Sequence, residues 1–146
     1  MNSNVRPKKL PIKVFKKIYS RVPRLCVDLV ISDRRGILLA FRQIQPWKGL
    51  WHLPGGTVFF GESLKQAAKR IAREETGLKI RIIKDLGYIE FLEEIKLANR
   101  HSVSIALLCR PLGGQARGSW QGEKIQFFKA MPKPIIPRHR QLLNKL

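Results

Sequence analysis

The sequence predicts an α/β (α+β) domain in which a mixed β-sheet lies between helices. Three observations carry that expectation. Short apolar, β-branched runs recur along the chain, separated by turn-forming residues. One strongly signalled helix, residues 64–76, interrupts those runs, and basic amphipathic segments stand near both ends. No internal repeat, low-complexity tract or linker divides the 146 residues, a length that suits one domain with a sizeable core.

In chain order, residues 1–10 read as a basic, unstructured tail and residues 11–146 as a single domain. Over 11–20, Ile12, Phe15 and Ile18 recur at helical spacing with lysines between them. That short basic helix could pack on the domain, join a second copy in a homodimer, or meet an acidic surface. Residues 24–32 (RLCVDLVIS) read as a strand interrupted by Asp28. An acid in a buried run needs a partner or a ligand, unless it sits at a wet edge. Asp33-Arg34-Arg35-Gly36 is a turn and residues 37–41 a second strand, ended by Arg42. Pro46 and Trp47 open a loop that runs through Gly49-Leu50-Trp51-His52-Leu53-Pro54 to a glycine turn.

Past the helix, residues 79–83 and 86–91 read as two strands, with Glu90, Glu93 and Glu94 gathered where the second gives way to a loop. Residues 101–110 (HSVSIALLCR) form the next strand, and 111–122 a glycine-rich loop holding Trp120 and Gln121. Residues 124–128 are a last strand, and a basic helix closes the chain from Pro137.

The net charge is +19, and it is unevenly placed. Residues 1–27 carry eight Lys and Arg without an acid, and residues 124–146 carry six. Such a field attracts anions, which suits a phosphate-rich small substrate and suits RNA equally well. No apolar run is long enough to span a bilayer, and the N-terminus lacks a signal peptide's hydrophobic core. Cys26 and Cys109 sit in strand-like runs without a metal-binding partner, so buried thiols in a reducing cytoplasm are expected.

The functional signal is concentrated in residues 56–78, GTVFFGESLKQAAKRIAREETGL. Ser63 followed by Gln66 is a capping box, and Gly77 supplies a left-handed stop. Between them Leu64, Ala68, Ile71 and Glu75 share one stripe, so a carboxylate projects from the end of an apolar face. Glu74 stands beside it, and Arg70, four residues earlier, can pair with and orient Glu74. Two adjacent acids can hold a hard divalent cation when a loop adds oxygens, and Leu53-Pro54-Gly55-Gly56 is suited to that. An amphipathic surface helix alone would explain neither the turn nor the spacing.

The stretch resembles the Nudix box, in which a glycine, a glutamate and an R-E-U-x-E-E-x-G-U run recur at fixed distances. Gly56, Glu62, Arg70, Glu74, Glu75, Gly77 and Leu78 fall on its positions, and Ala72 stands for a bulky aliphatic. Ile71 replaces the first glutamate of the run. Within that superfamily the chain is most similar to the GDP-mannose mannosyl hydrolases, through Val22-Pro23, the strand acid Asp28, Arg42, and an aliphatic residue at the Ile71 position. The resemblance implies Mg2+ (or Mn2+) held by Glu75, Glu74, the Gly55 carbonyl and Gln121, with Asp28, Arg42 and Gly56 facing substrate. It further implies attack on the anomeric carbon of a nucleotide sugar, with the nucleoside diphosphate leaving. Two positions depart from the pattern: Gly122 stands where those proteins carry a histidine base, and Thr57 where they carry an arginine. Glu123 is a candidate base, and His52 and His101 are others, expected to be structural. The competing expectations are a pyrophosphohydrolase attacking phosphorus and a non-catalytic basic domain that binds RNA or a nucleotide.

Overall fold

The computed structural model describes residues 7–119 and 124–146. Its elements are α1 (Ile12–Tyr19), β1 (Arg24–Asp33), β2 (Gly36–Phe41), β3 (Trp51–His52), β4 (Gly55–Thr57), α2 (Leu64–Thr76), β5 (Leu78–Phe91), α3 (Glu94–Ala98), β6 (Ser102–Gly114), β7 (Lys124–Phe128) and α4 (Pro137–Leu143). The strands run β3-β2-β1-β6-β5, with β4 also on β1 and β7 also on β2. β1 and β6 are parallel while the other pairs are antiparallel, so the sheet is mixed as expected.

Alternation along β1 builds two cores. Val27, Leu29 and Ile31 face one way, into a cluster with Ala67, Ala68, Ile71 and Ala72 of α2. Val30 faces the other way, into a cluster with Leu53, Phe91, Leu142 and Leu143 that α4 closes. Asp28 has the parity of Val30 and so points towards α4. β1 also forks: Cys26, Val27 and Asp28 pair with Thr57, Gly56 and Gly55, whereas Ser32 and Asp33 pair with β2.

The helix α2 is built as its sequence indicates. Ser63 Oγ accepts from Gln66 N–H at 3.0 Å, and the Gln66 side chain accepts from Ser63 N–H at 2.9 Å. Gly77 closes it at φ 74°, where a Cβ would collide with the Gln115 carbonyl.

Three local expectations are corrected. Residues 79–83 and 86–91 are not two strands: β5 is continuous over Leu78–Phe91, and register shifts against β6 absorb the irregular stretch. The acids after it open the short helix α3 rather than a loop. β6 continues to Gly114, so the glycine-rich segment begins later than its composition suggested. The helix α1 forms, but none of its residues is buried, and Ile12, Val14 and Ile18 are exposed. Its contact with the domain is partial: Phe15 and Tyr19 are half-buried, and the Arg24 guanidinium lies over the Phe15 ring. Both cysteines are free and buried, and burial pushes their thiols up to about 11 at Cys26 and about 12 at Cys109.

Candidate active site

The site gathers where β4 leads into α2. Arg70 organises the connecting loop. Its Nε donates to Glu62 Oε2 at 2.7 Å, and one terminal nitrogen donates to Glu62 Oε1 at 3.0 Å and to the Thr57 carbonyl at 2.8 Å. The guanidinium lies 3.6 Å from the centre of the Phe59 ring. Glu62 Oε1 also accepts from Phe59 N–H at 3.0 Å. Burial pushes the Glu62 carboxyl up, but the bonds from Arg70 and Phe59 outweigh it and hold the group below the ordinary range. Arg70 does reach Glu74, at 3.1 Å, yet Glu74 remains 57% exposed. The main partner of Arg70 is Glu62, which the helical spacing of Arg70 and Glu74 did not reveal.

Glu75 is only partly exposed, and Ser119 Oγ donates to its Oε2 at 2.9 Å. Burial pushes its carboxyl above the ordinary glutamate range and Glu74 adds to that, against the hydroxyl bond and the charges of Arg42 and Lys9. The β1–β4 register places Gly55 opposite Asp28. Leu29 N–H bonds Pro54 O at 2.8 Å and Val58 N–H bonds Leu25 O at 3.0 Å. Antiparallel alternation therefore directs the Gly55 carbonyl away from β1. A partly buried carboxylate, a neighbouring exposed one and an outward carbonyl are hard oxygen donors, the class that Mg2+ and Mn2+ take, with water completing the shell. Among the described residues no three His, Cys, Asp or Glu come together to hold a metal ion, here or elsewhere, so a cation here would depend on carbonyl and water oxygens beside the two carboxylates.

Ile71 is 2% exposed and belongs to the α2 core cluster. Its Cδ1 lies 3.4 Å from where a Gly56 Cβ would stand, so it packs against the underside of the glycine turn. Asp28, 7% exposed, lies on the opposite face of the turn, towards α4: its Oδ1 occupies space that a Gly55 Cβ would need. Arg42 follows β2, and its Nε donates to the Pro46 carbonyl. Burial, reinforced by Arg100 and opposed by Glu94, lowers it to about 10, so it stays charged at neutral pH.

Several contributors escaped the sequence reading. Arg24 donates to Thr57 Oγ1 at 2.9 Å and, through Nε and a terminal nitrogen, to Ser102 Oγ at 3.1 and 2.9 Å. A guanidinium thus stands beside Thr57, delivered from β1. Ser102 Oγ in turn donates to Glu94 Oε2 at 3.2 Å, where Arg100 also binds at 2.6 Å, and Trp47 Nε1 donates to Glu94 Oε1 at 3.1 Å. Glu94 stood out only as one of three clustered acids. His52 is buried, and burial, then the neighbouring His139, lower it to about 4, so it belongs to the core. His101 immediately precedes β6, and its carbonyl accepts from Arg24 N–H at 2.7 Å. Gln121 and Glu123, the expected loop ligand and base, lie outside the described residues, as does Gly122. A cleft of about 530 Å³ lies elsewhere, lined by Leu64, Lys65, Lys69 and Arg81 among others.

A profile of the NUDIX domain matches residues 22–145. The low-salt glycan biosynthesis protein Agl8 of Haloferax volcanii is 43% identical over 82 residues, 56% of this chain and 53% of that protein. The ADP-ribose pyrophosphatase of Methanocaldococcus jannaschii is 32% identical over 106 residues, 73% of this chain and 62% of that protein. This chain thus spans between about half and three-fifths of the length of these relatives. The crystal structure of a MutT NUDIX hydrolase from Burkholderia pseudomallei superposes with a TM-score of 0.78 at 27% identity, covering 86% of this chain and 99% of that one.

Proposed function

We propose that this chain, which belongs to the NUDIX domain family, is a divalent-metal-dependent hydrolase of a nucleoside diphosphate derivative. Its substrate class in this reading is a nucleotide sugar such as GDP-mannose, cut at the sugar carbon–oxygen bond. The observation that carries the choice of bond is Ile71. It lies sealed against the glycine turn among apolar side chains, where a glutamate could have held a second cation or taken a proton from water aimed at phosphorus. Attack at carbon needs one cation at Glu75, Glu74 and the Gly55 carbonyl, where it would neutralise charge on the departing diphosphate. Arg42 and Arg24 are proposed to bind the diphosphate, helped by the close backbone approach at Gly56. Asp28 would act on substrate through the turn it underpins. In the balanced step the water oxygen bonds the anomeric carbon, the bond to the β-phosphate oxygen breaks, and a proton passes to a base.

The second reading is a pyrophosphohydrolase attacking phosphorus. Its support is the likeness to the M. jannaschii ADP-ribose pyrophosphatase over 73% of this chain.

The deciding experiment is hydrolysis of GDP-mannose in oxygen-18 water with Mg2+. Label in free mannose supports carbon attack. Label in a nucleotide or sugar phosphate transfers the reading to phosphorus. Turnover of ADP-ribose or nucleoside triphosphates with GDP-mannose untouched removes the sugar nucleotide altogether.

A further inference from the structure

We infer that His139, on α4 across the sheet from α2, is a positioning residue for the Gly55 carbonyl; the inference rests on the metal reading above. The imidazole is 3% exposed and makes two polar contacts, one with Leu53 at the head of the glycine turn and one with Asp28 of β1. Leu53 N–H donates to His139 Nδ1 at 3.1 Å. A nitrogen that accepts carries no proton, so the ring hydrogen sits on Nε2. That Nε2 faces Asp28 Oδ2 at 3.4 Å, and the other oxygen of Asp28 fills the space beside Gly55 where a side chain would begin.

The neighbouring histidine completes the grip. His52 Nδ1 lies 2.8 Å from the Leu53 carbonyl, which only accepts, so His52 donates there. Both peptide groups of Leu53 are therefore held by imidazoles, one residue before Pro54. Leu53 is fully buried, and the proline ring restricts the backbone between it and Gly55. A shift at Leu53 is thus passed to Gly55, which His139 also steadies from the α4 side through Asp28. Groups bonded directly to a metal ligand typically change metal affinity 10–100-fold when removed, and His139, one step further out, belongs at the lower end of that range.

The test measures Mn2+ binding to the full chain by the electron paramagnetic resonance signal of free Mn2+, with Glu75→Gln as the control for the metal site. His139→Asn places an acceptor near the Nδ1 position and keeps the Leu53 bond, whereas His139→Gln places a donor near Nε2 and keeps the Asp28 link. His139→Leu keeps neither. The expected result is a Kd for Mn2+ raised at least about tenfold in His139→Leu. The Kd of His139→Asn should fall between wild type and His139→Gln, because the Leu53 contact is the direct one. Wild-type affinity in His139→Leu, with Glu75→Gln impaired, overturns the positioning role and leaves the metal site standing. Wild-type affinity in Glu75→Gln overturns the metal reading and this inference with it. Should His139→Leu not fold, the Asn and Gln variants decide, and any order other than Asn tighter than Gln overturns the role.

Discussion

Arg70 and Glu62 meet through two hydrogen bonds, at 2.7 and 3.0 Å, across the loop between β4 and α2. The Glu62 side chain is 4% exposed, so its charge is compensated by Arg70 and the Phe59 amide rather than by water. Lysine would keep the charge and lose the fork, the stacking on Phe59 and the bond to Thr57. Arg70→Lys should therefore destabilise the protein by about 1.5–3 kcal/mol in urea denaturation. Glu74→Gln, which weakens the exposed Arg70 contact and relieves the repulsion with Glu75, should change stability by less than about 0.5 kcal/mol. Equal effects from the two substitutions would show that Glu62 is not the main anchor.

Gly55 is opposed by Asp28 in the β1–β4 register, and an added Cβ would also stand 2.8 Å from the Val27 carbonyl oxygen. Gly55→Ala should destabilise by about 1–3 kcal/mol, the usual range for overpacking. Adding Asp28→Ala should recover only part of that loss, because the backbone oxygen remains. Full recovery in the double variant, seen as a restored melting temperature, would place the whole conflict on the Asp28 side chain.

Glu75 carries two opposite dependences on pH. Its carboxyl is raised by burial, so the native state holds that proton more tightly than the unfolded chain. Stability of the metal-free protein should then fall as pH climbs from the ordinary glutamate range through the raised value. Mn2+ affinity should rise over the same window, since the ionised form is the ligand. Glu75→Gln should flatten both trends, leave the metal-free melting temperature at pH 7 unchanged or higher, and lower kcat by about 10²–10³. Melting curves in chelator, paired with Mn2+ titrations, check both signs.

The cation excess in residues 1–27 and 124–146 should steer anionic substrate to the site. On hydrolysis of a small nucleotide, kcat/KM should fall as NaCl is raised from about 0.05 to 0.5 M, while kcat changes little. A kcat that falls in parallel would place a salt-sensitive ion pair in the chemical step.

What the sequence determined by itself is local. The capping box at Ser63 and Gln66, the left-handed Gly77 and the box spacing act within one helix and its flanks, so they were legible without the fold. The apolar run of β1 and the terminal run Lys124–Phe128 were legible for the same reason. Only the tertiary structure decided what joins distant segments. β5 is continuous because β6 tolerates register shifts, which no window of residues 78–91 reveals. Arg24 reaches Thr57 across 33 residues because β1 and β4 pair in one register, and a slip of one residue would turn its side chain to the other face. His139 reaches Asp28 across 111 residues because α4 closes the face of the sheet to which Asp28 points. Ile71 could be read as an absent acid. That it is sealed in the core against Gly56 follows from packing α2 on β1, since an apolar side chain is buried only once the opposite face arrives.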